Sequence, residues 1–171
     1  MTDHIFTIPA DYGCLAIVDP ENYEGFVSED WAIEGLLQHF IAQNQCGSLT
    51  AWGCSDGNWN VKIIIGSSNE VGFQSFVSGF KTTGKALLTS YESLTMAAQF
   101  EEVLLPETHE IEQVFELTPG NYRITVTQLF QPSQAESDEV FNQKSPHYLV
   151  TLELVDEEVP PIQKIPWFAE C

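Results

Sequence analysis

The sequence predicts an all-β fold, an antiparallel β-sandwich of seven to nine short strands with one short helix. Three observations carry this expectation. Tyr122, Ile124 and Val126 alternate with Arg123, Thr125 and Thr127, a period of two in β-branched and aromatic residues that marks a half-buried strand. Turn chemistry, at Ser55-Asp56-Gly57-Asn58 and Thr118-Pro119-Gly120-Asn121, interrupts apolar runs at short spacing. One stretch, Ser28 to Gln45, shows sustained helical spacing. The alternative is an α+β layer with that helix lying across one sheet.

Taken in order, His4 to Ile8 is a first strand stopping at Pro9, and Cys14 to Val18 a second ending at Asp19-Pro20. Glu21 to Val27 reads as a loop. Its acids do not fit the twelve-residue calcium-binding pattern. The helix follows, with Ser28 or Asp30 as cap and Ile33, Leu36, Leu37, Phe40 and Ile41 as one apolar stripe. Cys46-Gly47 stops it.

Ser48 to Gly66 reads as a hairpin through Asp56-Gly57, which sets Trp52 and Trp59 up to pair across it. Its return strand ends in Ile63-Ile64-Ile65, a run expected to be covered on both faces. Val71 to Val77 and Lys85 to Ser90 have strand character, and Glu92 to Phe100 extends the latter or turns into a short helix. Val114 to Gln131 reads as a second hairpin through Pro119-Gly120, where Pro119 presets φ and Gly120 accepts a positive φ. His147 to Val155 is the last strand. Residues 1–161 then make a single β-rich domain. Residues 162–171 form a Pro-punctuated tail whose Trp167 and Phe168 dock on the body or on a partner.

Charge is the strongest functional signal. The 171 residues hold 25 Asp and Glu against 6 Lys and Arg, a net charge of −19. Such a balance disfavours nucleic acid and anionic membranes, which are bound through many Lys and Arg, and favours a basic protein partner. No apolar run is long enough for a membrane span, and no secretory signal is visible, so the cytoplasm is the expected location. Cys14, Cys46, Cys54 and Cys171 lack zinc spacing, so no metal or cofactor is expected. Three of them are expected to be small buried hydrophobes, with Cys171 a free thiol.

No nucleophile elbow, phosphate loop or dinucleotide fingerprint is present, and the four histidines are scattered. The expectation is a non-enzymatic binding protein. A second class of function is a small-ligand or carbohydrate-binding module that uses Tyr23, Trp52 and Trp59 as stacking platforms.

Several segments, in order, resemble a known family. These are L-A-I-V-D-P (Leu15 to Pro20), Trp31 leading a helix into Q-H-F (Gln38 to Phe40), G-S-L-T-A-W-G (Gly47 to Gly53) and L-T-P-G-N-Y-R-I (Leu117 to Ile124). Over about Phe6 to Thr127 the chain resembles the bacterial competence protein J-like nuclease inhibitors, small all-β proteins. His39 stands where that family has glycine, and the Ile162 to Cys171 tail has no counterpart there. The resemblance implies an inhibitor or immunity-like protein that blocks a basic nuclease, its carboxylates imitating phosphates. The partner-binding acids are then Asp19, Glu21 and Glu24, with Glu136, Asp138 and Glu139 as a second group and Trp167 and Phe168 as apolar anchors.

Overall fold

Short connections with turn chemistry at Asp56-Gly57, Thr83-Gly84 and Pro119-Gly120 carry the chain from one sheet to the other. The computed structural model describes residues 2–10, 13–131 and 145–168. Among these, one sheet holds β1 (Thr2–Ala10), β4 (Gly57–Ile65), β9 (Tyr148–Val155), β8 (Gly120–Gln128) and β5 (Gln74–Thr82), in that spatial order. The second holds β3 (Leu49–Cys54), β2 (Gly13–Val18), β6 (Lys85–Ser90) and β7 (Val114–Glu116). Pairing is antiparallel except between β4 and β9. The mostly-β, two-sheet expectation holds.

Neither expected hairpin forms. β3 pairs with β2, whereas β4 pairs with β1 and β9. Likewise β7 pairs with β6, and β8 with β5 and β9. Asp56-Gly57 and Pro119-Gly120 turn the chain as expected but lead it across the sandwich. At the second crossing the Tyr122 hydroxyl donates to the Thr118 carbonyl at 2.7 Å. That bond ties the start of β8 to the turn before it, the geometry of a tyrosine corner.

Longer connections return the chain to its own sheet. α1 (Ile33–Gln45) links β2 to β3, while α2 (Tyr91–Gln99) and a 3-10 turn (Thr108–Gln113) link β6 to β7. Among the described residues there are thus two α-helices rather than one, and α1 begins five residues after Ser28. Ala32 is its N-cap, with no capping side chain. The reason is visible: Val27 and Ser28 N–H both donate to the Ala98 carbonyl, which holds this stretch extended against α2.

The arrangement makes three layers. Between the sheets lie Leu15, Ile17, Trp52, Trp59, Val61, Ile63, Tyr122 and Tyr148, all essentially inaccessible. On the far face of the four-stranded sheet, Cys14, Ala16, Val18, Leu49 and Ala51 meet Leu36 and Phe40 of α1 and Leu94 and Ala98 of α2. β2 is therefore buried at every position. A strand covered on both faces reads as a continuous apolar run, which C-L-A-I-V is. The isoleucine run of β4 is less covered, since Ile65 remains partly exposed. Burying each such side chain contributes roughly 1.5–3 kcal/mol.

Trp52 and Trp59 do not pair with each other across a hairpin. Tyr148 sits between them, its ring 5.8 Å from Trp52 and 5.5 Å from Trp59.

The tail docks on the body. Ile162 N–H donates to Asn44 Oδ1, and Gly53 N–H, on the edge strand β3, donates to the Pro166 carbonyl. Ile165 and Phe168 are buried in the helix-side core, and Trp167 packs edge-on against Phe76 of β5 at 5.2 Å. The segment thus straps the side where β3 and β5 come together and covers an edge that would otherwise present unpaired backbone groups.

Candidate functional site

The two connections that cover the four-stranded sheet carry most of the chain's charge asymmetry. Residues 19–48 contain six acids and residues 91–113 another six, and neither segment contains a Lys or Arg. Of these, Glu21, Glu24, Glu29, Asp30, Glu34, Glu92, Glu101, Glu102 and Glu112 are exposed, and Glu107 is half-buried. Hydrophobic stripes on α1 and α2 face inward to the sheet, so the carboxylates are left on the outer side of one layer. Two bases are paired on the five-stranded sheet, Lys62 with Asp3 at 3.9 Å and Arg123 with Glu153 at 3.5 Å, while Lys85 lies on β6 and Lys164 in the C-terminal segment.

Two acids of this layer are structural. Glu110 is buried, accepting from the Thr89 hydroxyl and, at 3.1 Å, from the Glu107 N–H. Asp19, expected to face a partner, is wholly buried. Its Oδ1 accepts from the N–H groups of Glu21 (2.8 Å) and Asn22 (3.2 Å), and its Oδ2 from the Thr83 N–H at 2.8 Å. It therefore shapes the acidic loop and pins it to the β5–β6 turn. Glu21 extends the same contact, accepting from the Thr83 hydroxyl at 2.8 Å.

Glu21 and Glu24 are exposed, as a partner-facing role needs. Glu136, Asp138 and Glu139 lie outside the described residues. Trp167 and Phe168 are held in the strap, so as the chain is folded they are packing residues. Trp52 and Trp59 have no exposed surface and present no face on which a ligand can stack. Tyr23 packs against the helix-side core, where burial pushes its hydroxyl pKa up. A pocket of about 100 Å³ lies beside the C-terminal end of α1, between Cys46, Lys81, Asn121 and Glu158. Ligand sites run to ~300–1,000 Å³, so this one is too small for a sugar ring with its substituents.

His39 lies under Glu24 on α1, its ring 5.9 Å from that of Tyr23. Burial lowers its pKa below the ordinary value, while the backbone and carboxylate of Glu24 pull the other way. Its Nε2 is buried and has no hydrogen-bond partner among the described residues, which suits a neutral ring. A folded pKa below the unfolded one stabilises the fold above the unfolded value, and that contribution is lost as pH falls through the folded one. Stability should therefore decline as pH drops from about 7 to 5, around the unfolded imidazole value of ~6.5. His39→Gln should flatten that limb in denaturant melts. An unchanged slope would contradict the assignment.

Cys14 and Cys54 are not disulfide-bonded. Burial raises the Cys14 thiol pKa and pushes that of Cys54 up to about 12, with Asp56 adding to the latter, so neither is a ready nucleophile. Cys46, expected to be buried, is exposed. Among the described residues no group of three or more His, Cys, Asp or Glu side chains is placed to hold a metal ion. Nor, among those residues, is any helix long and apolar enough to cross a membrane.

Sequence reasoning missed Glu29, Asp30, Glu34, Glu101 and Glu102. The signal was present as charge per segment, since 19–48 and 91–113 each hold six acids with no Lys or Arg.

The molecule is thus a two-sheet, mostly-β protein with a helix layer over one sheet and that layer's exposed charge of one sign. The same fold is found in the solved structure of crocagin biosynthetic gene J, with a TM-score of 0.61 and 14% identity over 90% of this chain and 99% of that one. A weaker structural resemblance, with a TM-score of 0.47 and 10% identity over 89% of this chain and 96% of that one, links it to ComJ, inhibitor of the DNA degrading activity of NucA, from Bacillus subtilis. No family model and no curated protein sequence matches the chain.

Proposed function

We propose that this chain is a non-catalytic acidic binding protein whose helix-covered face engages a basic protein. A DNA-degrading nuclease is the partner implied by the sequence resemblance. One observation carries the reading: the two connections over the four-stranded sheet hold exposed carboxylates and no Lys or Arg. Fields of one sign over a surface raise encounter rates with an oppositely charged partner by ~10–10³-fold at low salt. Glu21 and Glu24 belong to this face together with Glu29, Asp30, Glu34, Glu101 and Glu102. Glu136, Asp138 and Glu139, between β8 and β9, are proposed as a second contact group. Carboxylates in this role occupy the places of nucleic-acid phosphates on the nuclease, and no bond is made or broken.

The test is inhibition of DNA cleavage by small basic nucleases, with a neutral nuclease as control. One equivalent of the protein should suppress cleavage by a cognate basic enzyme and leave the neutral one untouched. Full cleavage by every basic nuclease tried, with the protein in large excess at low salt, would overturn the nuclease reading.

A further inference from the structure

Four large apolar side chains are exposed on the acidic layer. Ile111 (60%) lies in the 3-10 turn. Of the other three, Phe26 is 42% exposed, Met96 40% and Leu104 77%. The fold brings the segments of these three to one place. Val27 and Ser28 N–H donate to the Ala98 carbonyl at 2.8 and 3.0 Å, and Gly25 packs so closely on Ala97 that a Cβ there would lie 3.0 Å from the alanine methyl. Phe26, between these two contacts, therefore lies at the C-terminal turn of α2, which carries Met96. A turn closed by Val103 N–H on the Phe100 carbonyl then leads to Leu104.

This end of α2 is electrostatically unfavourable in the free protein. A helix C-terminus carries about half a negative charge, and cations stabilise it. Here the last turn has no base. Instead Glu101 and Glu102 follow directly after Phe100, and Glu29 and Asp30 follow the docked Val27-Ser28 stretch. Like charges gathered at a like-signed helix end oppose local stability, and an incoming cation relieves that repulsion. The exposed apolar trio beside them supplies what an anchor needs.

We propose that the C-terminal end of α2, together with Phe26, Met96 and Leu104, is the centre of the partner interface. It takes a Lys or Arg side chain presented next to an apolar group by a basic protein. This inference rests on the binding reading given above and adds the location and the kind of epitope.

The test titrates the isotopically labelled full chain with two probes, an amphipathic lysine–leucine peptide and polylysine, following backbone amide resonances. The lysine–leucine peptide should bind the more tightly, with the largest saturable shifts at residues 26–30 and 96–104. The surface variant Phe26→Ser/Met96→Ser should weaken it by about thirtyfold or more, the scale of a hot spot, and leave polylysine binding unchanged. Shifts concentrated elsewhere on the acidic surface, equal affinity for the two probes, or an unaffected double variant would overturn the location while leaving an acidic binding protein. No saturable binding of either probe at low salt would overturn the location and the binding reading together.

Discussion

Asp19→Ala is expected to lower the melting temperature by about 6–12 °C. Asp19 has no accessible surface, and its two oxygens accept from three backbone N–H groups, those of Glu21, Asn22 and Thr83. They also accept from the Asn22 side-chain amide at 3.3 Å. Hydrogen bonds to a charged group contribute roughly 1.5–3 kcal/mol each, and a buried donor left unpaired costs about 1–3 kcal/mol. Partial rehydration of the loop limits the total to roughly 3 kcal/mol, which at this chain length corresponds to about 2–4 °C per kcal/mol. Asp19→Asn should fall between the two, because its amide turns one acceptor into a donor facing N–H groups. A thermal melt of Asp19→Ala within about 2 °C of the wild type would contradict the structural role.

Gly53→Ala is expected to unseat the strap. A Cβ at Gly53 would lie 2.1 Å from the Trp167 carbonyl oxygen and 2.5 Å from the Phe168 Cα, both backbone atoms that cannot swing aside as a flexible side chain would. Either β3 shifts or the strap lifts. The strap is the cheaper of the two to move, since β3 is bonded to β2 along its length. Lifting it exposes Ile165 and Phe168 and breaks the Gly53 N–H bond to Pro166, a loss of about 3.5–7.5 kcal/mol if each side chain is worth roughly 1.5–3 kcal/mol and the bond roughly 0.5–1.5 kcal/mol. Trp167 would leave its edge-on contact with Phe76. The expected signs are a red shift in tryptophan emission and new proteolytic sensitivity after residue 156. An unchanged emission spectrum would show that the chain absorbs the methyl some other way.

The two-sheet, mostly-β architecture was legible in the sequence, and the pairing was not. Alternation in Tyr122 to Thr127 and the apolar run Cys14 to Val18 reflect burial, and burial is what periodicity encodes. The Asp56-Gly57 and Pro119-Gly120 turns were found because turn conformation is set by local chemistry. Whether the strands on either side of a turn pair is not local. It depended on Trp52, Trp59, Leu117 and Tyr122 all burying into the space between two sheets, which a crossing satisfies and a flat hairpin does not. The start of α1 was misplaced for a related reason. Ser28 looks like a cap, but its N–H is taken by Ala98, a residue 70 positions away.

The acidic face was half legible. Net charge pointed to a basic partner, and Glu21 and Glu24 are exposed. Asp19 belongs to the same sequence cluster and lies inside, because its short side chain reaches backbone donors that the loop must satisfy. Only the fold reveals that residues 19–48 and 91–113 cover the same sheet, so that acids far apart in sequence share one surface.

The central claim is that this surface recognises a basic partner by charge. The most direct measurement is the association rate constant with a small basic nuclease as a function of salt, between about 0.05 and 0.5 M, where the screening length shrinks several-fold. The account predicts a fall of about tenfold or more across that range. It also predicts a slower rate with a shallower salt dependence for a variant with Glu29, Asp30, Glu101 and Glu102 changed to Gln or Asn. A wild-type rate that does not change with salt, or one that the four neutralising changes leave intact, would contradict it.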